Sequence, residues 1–411
     1  HRSRRVRAFS EAGNAMRAYF WTMTTWNFFT DDPNKCMHPF GAVHQGGRML
    51  MGALHLAQFW SAVTSNTIIQ LKQAACDNVQ HASEHGRLND RWIPSSNALE
   101  AIAQLSRGEN LYHEDTPLFE WIGSDSSGTS KRKTMANADL LQTPQELFSR
   151  CGEWILTQAQ HVKDMWGAND ATNIELPNHV QVIGPLENLI LAQGVKVNAC
   201  TINTEAGPVL LGPESEIQEG SNIRGPLFLG ASSVIKMGSS VYGPTTIGAQ
   251  CRIGGEVSNS TFLGFSNKGH DGFLGNSVIG HWCNLGAATN TSNLKSNYSP
   301  VRLWSEKEQT YVDSGLQFCG LIMGDHSKSG INTMFNTGTI VGPGCNIFGS
   351  GFQPKHIPSF SWGGGQAWQL HDFDKFIQTA HAVMERRGIV LTDADINYWR
   401  EQHQIAAERQ Q

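Results

Sequence analysis

Leu211, Ile217, Ile223, Leu229, Ile235, Val241, Ile247 and Ile253 stand six residues apart without a break. All eight are aliphatic and branched. Four positions after each, the residue is mostly small: Ser215, Ser221, Ser233, Ser239, Thr245 and Cys251, with Leu227 and Val257 as exceptions. Glycine follows directly at Gly212, Gly230, Gly248 and Gly254. A period of six fits neither a helix nor plain strand alternation. It marks a parallel β-helix built from hexapeptide repeats, in which each unit forms one flat side of a triangular coil. The aliphatic residue points inward, the small residue fills the corner, and glycine or polar residues turn the chain. Coil stacks on coil, so stability accumulates along the array.

Outward from this run the register changes. Residues 254–277 leave the sixfold step, which predicts a loop projecting from the coils. The step returns at Ile279 and Leu285, and again at Phe335, Val341 and Ile347. Between them, Val301–Trp304 and Thr310–Val312 flank Glu306-Lys307-Glu308 and predict a hairpin. Pro354 and Pro358 end the stack. Beyond it, Phe373, Phe376, Ile377 and Ala380 form a helical stripe within 366–408, expected to pack back on the coils or on a neighbouring subunit.

Residues 1–170 read as α/β. Trp21–Phe29 predicts a strand, Gly41–Arg48 a glycine-bearing loop and Met49–Trp60 a helix, an order compatible with phosphate binding. Pro94-Ser95-Ser96-Asn97 caps a helix carrying Leu99, Ile102 and Leu105. Ser124–Lys133 reads as a surface loop. Thr143, as N-cap, and Pro144 open another helix running through Trp154 to Val162. The division expected is 1–170, 171–365 and 366–411.

The chain has 411 residues, 42 of them Gly, 16% charged residues and a net charge of −5. That charge predicts neither nucleic acid nor an anionic membrane as partner, and no apolar run spans a bilayer. The eight Cys show no zinc or C-x-x-C spacing and read as core residues of a reduced, cytoplasmic protein. No secretory signal is visible. Because the chain opens on His1, what precedes it is left open.

Three stretches carry a family resemblance: Asn267-Lys268-Gly269-His270-Asp271-Gly272-Phe273-Leu274-Gly275, Cys283-Asn284-Leu285-Gly286-Ala287, and Leu316–Gly320 through Gly324-Asp325-His326-Ser327-Lys328. With Ile331–Gly338 and Phe360–Gly364, they make residues 185–365 resemble sugar nucleotidyltransferases. Those proteins are similar to the bifunctional UDP-N-acetylglucosamine pyrophosphorylase/glucosamine-1-phosphate N-acetyltransferase. The resemblance implies a left-handed parallel β-helix, a homotrimer with sites between subunits, and acyl transfer from acetyl-CoA to an amino-sugar phosphate. It places the catalytic base at His270 and sugar or cofactor contacts at Asn284 and Asn293. Phe273 replaces a tyrosine of the family's motif, and Glu256 matches an acidic neighbour. In the first half, Gln45-Gly46-Gly47-Arg48-Met49 is the string nearest to the family's nucleotide-cradling loop, which points to Gly46, Gly47 and Arg48. Asp31 and Asp32 are the candidate Mg²⁺ ligands for nucleotidyl transfer.

Acyl transfer to an amine needs a base, and histidine titrates near neutrality. From the residues alone, His270 reads equally as a base or a surface histidine. Lys268 is a candidate phosphate contact, and Asp271 a candidate partner for the imidazole. Ser327 and Lys328 are candidates for the cofactor side. Arg224, Lys236 and Arg252 flank core positions and point outward, where they would meet phosphates or solvent. Three readings stay open: an amino-sugar-phosphate acyltransferase, a sugar nucleotidyltransferase whose β-helix only trimerises it, and a non-catalytic sugar-nucleotide-binding scaffold.

Overall fold

The computed structural model describes residues 27–29, 37, 39–40, 50–56, 58–60, 85–89, 91–105, 109–122, 131–365 and 367–410. Two compact units emerge. One holds residues 27–29 and the described residues of 54–141, and the other holds the described residues of 142–410 together with residues 37, 39, 40 and 50–53.

In the first unit, five strands pair in the order Asn27–Phe29, His85–Asn89, Thr116–Ile122, Glu109–His113 and Lys131–Thr134. The two outer pairs of this mixed sheet are parallel and the two inner pairs antiparallel. Helix Ser96–Ala103 starts where the sequence predicts, with the Ser95 hydroxyl accepting from the Ala98 N–H. Trp60 and Trp92 are buried and tilted against each other, and Trp60 Nε1 donates to the Trp92 carbonyl. Two expectations are corrected here. Lys131–Lys133 belong to an exposed strand rather than a loop. The stretch Met49–Trp60 is not one helix: Leu50–Met51 and Leu54–His55 are extended, because Gly52 turns the chain at φ +64°.

The second unit is a parallel β-helix. Its three faces hold ten, ten and six strands. The eight residues of the sixfold run are at most 3% exposed and share one core. Leu211 pairs with Leu229 and Leu229 with Ile247, so one coil takes 18 residues. Of the serines four positions on, Ser221 and Ser233 act as corner pins, their hydroxyls donating to a carbonyl of the next coil. Ser233 Oγ donates to the Gly248 carbonyl at 2.7 Å and accepts from the Cys251 N–H at 2.9 Å, tying successive coils. The glycines after the first-face residues do not turn the chain. A Cβ on Gly248 would stand 2.2 Å from the Leu263 carbonyl oxygen, so glycine is required there by close approach of the next coil.

Residues 254–277 do not project. The coils continue through Glu256–Ser258, Thr261–Gly264, Asn267–Lys268 and Phe273–Gly275. Ile247 pairs directly with Phe262, so one coil is shortened to 15 residues and a fixed step of six loses phase. The predicted hairpin is present as Arg302–Ser305 against Thr310–Asp313.

Helices Glu146–Ser149 and Cys151–Trp166 pack on the first face. Thr261 Oγ1 donates to the Leu147 carbonyl at 2.8 Å, and Trp166 stacks on Phe228. The outward side chains of that face are therefore buried as well as the inward ones. Thr143 is not the N-cap. Its N–H and hydroxyl both donate to the Glu146 carboxylate, and Gln145 precedes the helix.

Helices Phe373–Glu385 and Asp393–Arg409 close the unit. They dock on one corner of the coils, where each coil places a residue in the left-handed region; the non-glycine ones are Glu214, Ser232, Gln250, Phe265, Trp282, His326 and Phe360, with Gly344 between the last two. The first three are polar and the last four aromatic. Left-handed backbone costs a non-glycine residue about 1–2 kcal/mol. Coil-to-coil hydrogen bonds such as Trp282 N–H to Gly264 O hold it. Phe265 stacks on Trp282 at 4.3 Å, and Phe376 and Trp399 meet His326 and Phe360 edge-on. Among the described residues six cysteines are free and buried, and no helix is long and apolar enough to cross a membrane.

Candidate functional site

The inward column of the second face reads Ile217, Ile235, Ile253, Lys268, Leu285, Ser329 and Ile347. The residue after each lies at the next corner. From Ile235 onward these are Lys236, Gly254, Gly269, Gly286, Gly330 and Phe348. Four consecutive coils thus lack a side chain along one edge, and a groove of about 540 Å³ opens there. Two of the glycines are also required by packing: a Cβ on Gly254 or Gly286 would meet the neighbouring coil's backbone at 2.7 and 2.5 Å. At Gly269 a Cβ would meet nothing within 4 Å, so this glycine leaves the groove open rather than letting coils approach.

His270 and Asn284 line this groove, with Lys236, Arg252, Asn267, Ala287 and Ile331. His270 is exposed, and no described residue hydrogen-bonds its ring. Its own peptide is held from inside: Lys268 Nζ donates to the carbonyls of Gly254 at 2.8 Å and His270 at 3.0 Å. Lys268 is 1% exposed, in a column of aliphatic residues. Burial lowers its ammonium to about 8, against the attraction of Asp271 and Glu256. The outward phosphate contact expected of Lys268 is therefore corrected: its cation is spent on backbone carbonyls beneath the groove. Asp271 is exposed and makes no hydrogen bond to the His270 ring.

Other expected site residues lie elsewhere. Arg224 stands on the third face, on strand Asn222–Arg224. Asn293 Nδ2 donates to Asn276 Oδ1 at 2.8 Å, beside Phe273 and Gly275 of the third face. Ser327 repeats the corner-pin geometry of Ser233: it donates to the Gly342 carbonyl at 2.7 Å and accepts from Cys345 at 3.0 Å, fully buried. Lys328 Nζ donates to the His326 carbonyl, and burial lowers its ammonium. The cofactor-side assignment of Ser327 and Lys328 is corrected accordingly. Gly46, Gly47, Arg48, Asp31 and Asp32 lie outside the described residues.

Two features escaped the sequence reading. Asn267 carries no signal of its own within its motif, yet it lines the groove. Arg387, in the turn after helix Phe373–Glu385, reaches Asn267 across the fold, its Nη2 lying 3.3 Å from Asn267 Oδ1. Of the glycine edge, only Gly254 and Gly286 follow inward residues that the sixfold step identifies; Gly269 and Gly330 follow Lys268 and Ser329, which it does not. Arg387 had no local signal.

No family model matches the chain. Over 104 residues, 25% of this chain, it is 35% identical to the bifunctional protein GlmU of Methanocaldococcus jannaschii, covering 25% of that protein. Over 87 residues it is 34% identical to the bifunctional protein GlmU of Methanococcus aeolicus, covering 21% of this chain and 20% of that one. The matches thus span a quarter or less of these curated relatives, and the resemblance to the bifunctional enzyme holds as a partial sequence match. Among solved structures, the polySia specific acetyltransferase NeuO aligns with a TM-score of 0.26 and 13% identity, over 47% of this chain and 88% of that one. The N-acyltransferase AntD from Bacillus cereus aligns with a TM-score of 0.18 and 9% identity, over 50% and 90%.

Proposed function

We propose that the groove is an acyl-transfer site, moving an acetyl group from acetyl-CoA to the amine of an amino-sugar phosphate. The observation that carries this reading is His270: an exposed imidazole whose ring no described residue hydrogen-bonds, on a peptide fixed from below, at the edge of a slot without side chains. The amine nitrogen attacks the thioester carbonyl, the new C–N bond forms and the C–S bond breaks. His270 takes the proton that the nitrogen sheds, and the proton ends on the departing thiolate. Asn284 and Asn267 offer amide contacts to the sugar, and the glycine edge admits a narrow pantetheine-like arm. The site cations suit phosphate-bearing ligands.

The same reading includes a homotrimer. Ile331, at the groove, is 71% exposed, and Phe348 on the next coil is also exposed. Apolar side chains at the rim of a polar groove favour a second copy as the other wall. Light scattering on the full chain tests this through its molar mass.

Acetyl-CoA and glucosamine 1-phosphate are the first assay pair, followed by other amino-sugar phosphates. Turnover that falls by about 10²–10⁴ in His270→Ala supports the base. An unchanged rate removes His270 from the chemistry, and no turnover with any amino-sugar phosphate overturns the reading.

A further inference from the structure

Arg252 and Arg387, 135 positions apart in the sequence, both neighbour Asn267 on one strand. Arg252 pairs in register with Asn267, and Arg387 Nη2 lies 3.3 Å from the Asn267 side-chain oxygen. Arg252 uses Nη1 alone, donating to the carbonyls of Ser232 and Cys251, both at 2.9 Å. That leaves its Nη2 and Nε without a described partner, and Arg387 uses only Nη2. Neither guanidinium takes part in an ion pair among the described residues. Glu216, the acid acting on Arg252, lies two strands away, on the order of 10 Å. Burial weakens both cations, and Arg252 further weakens Arg387. Two half-buried guanidiniums that repel each other, with no acidic partner in contact among the described residues, are unfavourable by Coulomb's law and by desolvation.

The arrangement is not an accident of a mobile tail. Ala380, Met384 and Leu391 bury with Trp282, and Phe265, Ile377, Val383 and Ile389 pack against this cluster. This apolar contact fixes the turn that carries Arg387. Lys236 adds a third cation to the groove Arg252 lines.

We propose that Arg252 and Arg387, with Lys236, form an anion clamp that takes a phosphate or pyrophosphate group of a ligand lying in the groove. The clamp deepens the reading above, because it rests on the groove being the ligand site. It also gives the C-terminal helices a role in binding: they supply one jaw. Guanidiniums engage phosphate oxygens through paired N–H donors, which lysine cannot reproduce.

Calorimetric titration of the full chain with inorganic pyrophosphate tests this directly. Binding is expected that weakens roughly ten- to hundredfold in Arg252→Gln and in Arg387→Gln. Arg387→Lys should recover only part of it. Arg386→Gln, on the exposed neighbour in the same turn, should bind as the parent does. Thermal melting of each variant separates loss of the clamp from loss of the fold. Competition identifies the source of the phosphate: glucosamine 1-phosphate displacing pyrophosphate assigns the clamp to the acceptor, and coenzyme A displacing it assigns the clamp to the donor. Either result supports the clamp. Pyrophosphate that does not bind, or binds folded Arg252→Gln and Arg387→Gln as tightly as the parent, overturns it. His270→Ala is expected to keep pyrophosphate binding, so failure of the base and failure of the clamp are read separately.

Discussion

Lys268 stands in its coil where Ile253 stands in the coil before, and its ammonium is turned to the carbonyl of His270, two residues on. A cation thus replaces an aliphatic side chain in the stack directly beneath the candidate base. The core accepts it because Gly254 and His270 supply two carbonyls, and because Gly255 leaves room: a Cβ there would stand 2.9 Å from Nζ.

This arrangement predicts a stability that rises with pH above 8. The folded chain releases the Lys268 proton near 8, whereas an unfolded lysine releases it near 10.4. Between those values the unfolded state holds more protons, so raising the pH favours the fold. The burial penalty should shrink by about 2 kcal/mol between pH 7.5 and pH 10. Denaturant unfolding of the parent and Lys268→Met at both pH values checks this. The parent should gain on the variant as pH rises, and parallel curves would contradict the assignment.

The groove edge predicts that two neighbouring glycines respond oppositely to the same methyl group. Gly269→Ala meets open space, so stability should change by less than about 0.5 kcal/mol while the groove narrows and KM rises. Gly286→Ala puts its Cβ 2.5 Å from the Gly330 carbonyl carbon and should destabilise by about 1–3 kcal/mol. Melting curves and substrate saturation on the pair would separate a groove glycine from a packing glycine.

How much of this was legible follows from where the information resides. The coils were readable because an inward position repeats at a fixed step, and Leu211 to Ile253 keep it. The shortened coil at 247–262 hid the continuation, since a fixed step cannot follow a three-residue loss of phase. His270 and Asn284 stand out through motif resemblance alone, and both line the groove. Lys268 misled because a charged residue is read as outward, whereas its two carbonyl partners appear only once Gly254 is stacked beside it. Ser327 misled for the opposite reason: next to Asp325 and His326 it suggests chemistry, but its corner position matches Ser233. Arg387 was invisible because its approach to Asn267 depends on where two helices dock.

His326 predicts an acid-sensitive corner. Burial, with the nearby Lys328 cation, lowers its imidazole to about 3, although Asp325 opposes this. The folded state therefore resists protonation between about 6.5 and 3, where the unfolded state accepts it, so stability falls as pH drops through that window. The loss should reach about 2 kcal/mol between pH 7 and pH 5. Phe265 and Phe360 occupy the same left-handed corner in other coils, so His326→Phe is sterically precedented. That variant should unfold with a flatter pH dependence from 7 to 5, and an unchanged slope would show that another group controls acid stability.

Trp399 tests whether the C-terminal helices serve the groove or only cover it. Its ring is 3% exposed and packs edge-on against His326, Phe360 and Phe376. Trp399→Ala removes the largest side chain of that cluster and should cost about 3–5 kcal/mol of docking free energy. The coils carry their own core, from Leu189 to Ile357, and should remain folded. Hydrogen exchange should therefore quicken over residues 373–409 while the second-face strands stay protected. If Arg387 depends on docking for its place beside Asn267, pyrophosphate affinity should fall in Trp399→Ala although no groove residue has changed. Quickened exchange with unaltered affinity would mean that the Phe265–Trp282 contact alone holds the turn, and the dependence of the groove on the second helix would be rejected.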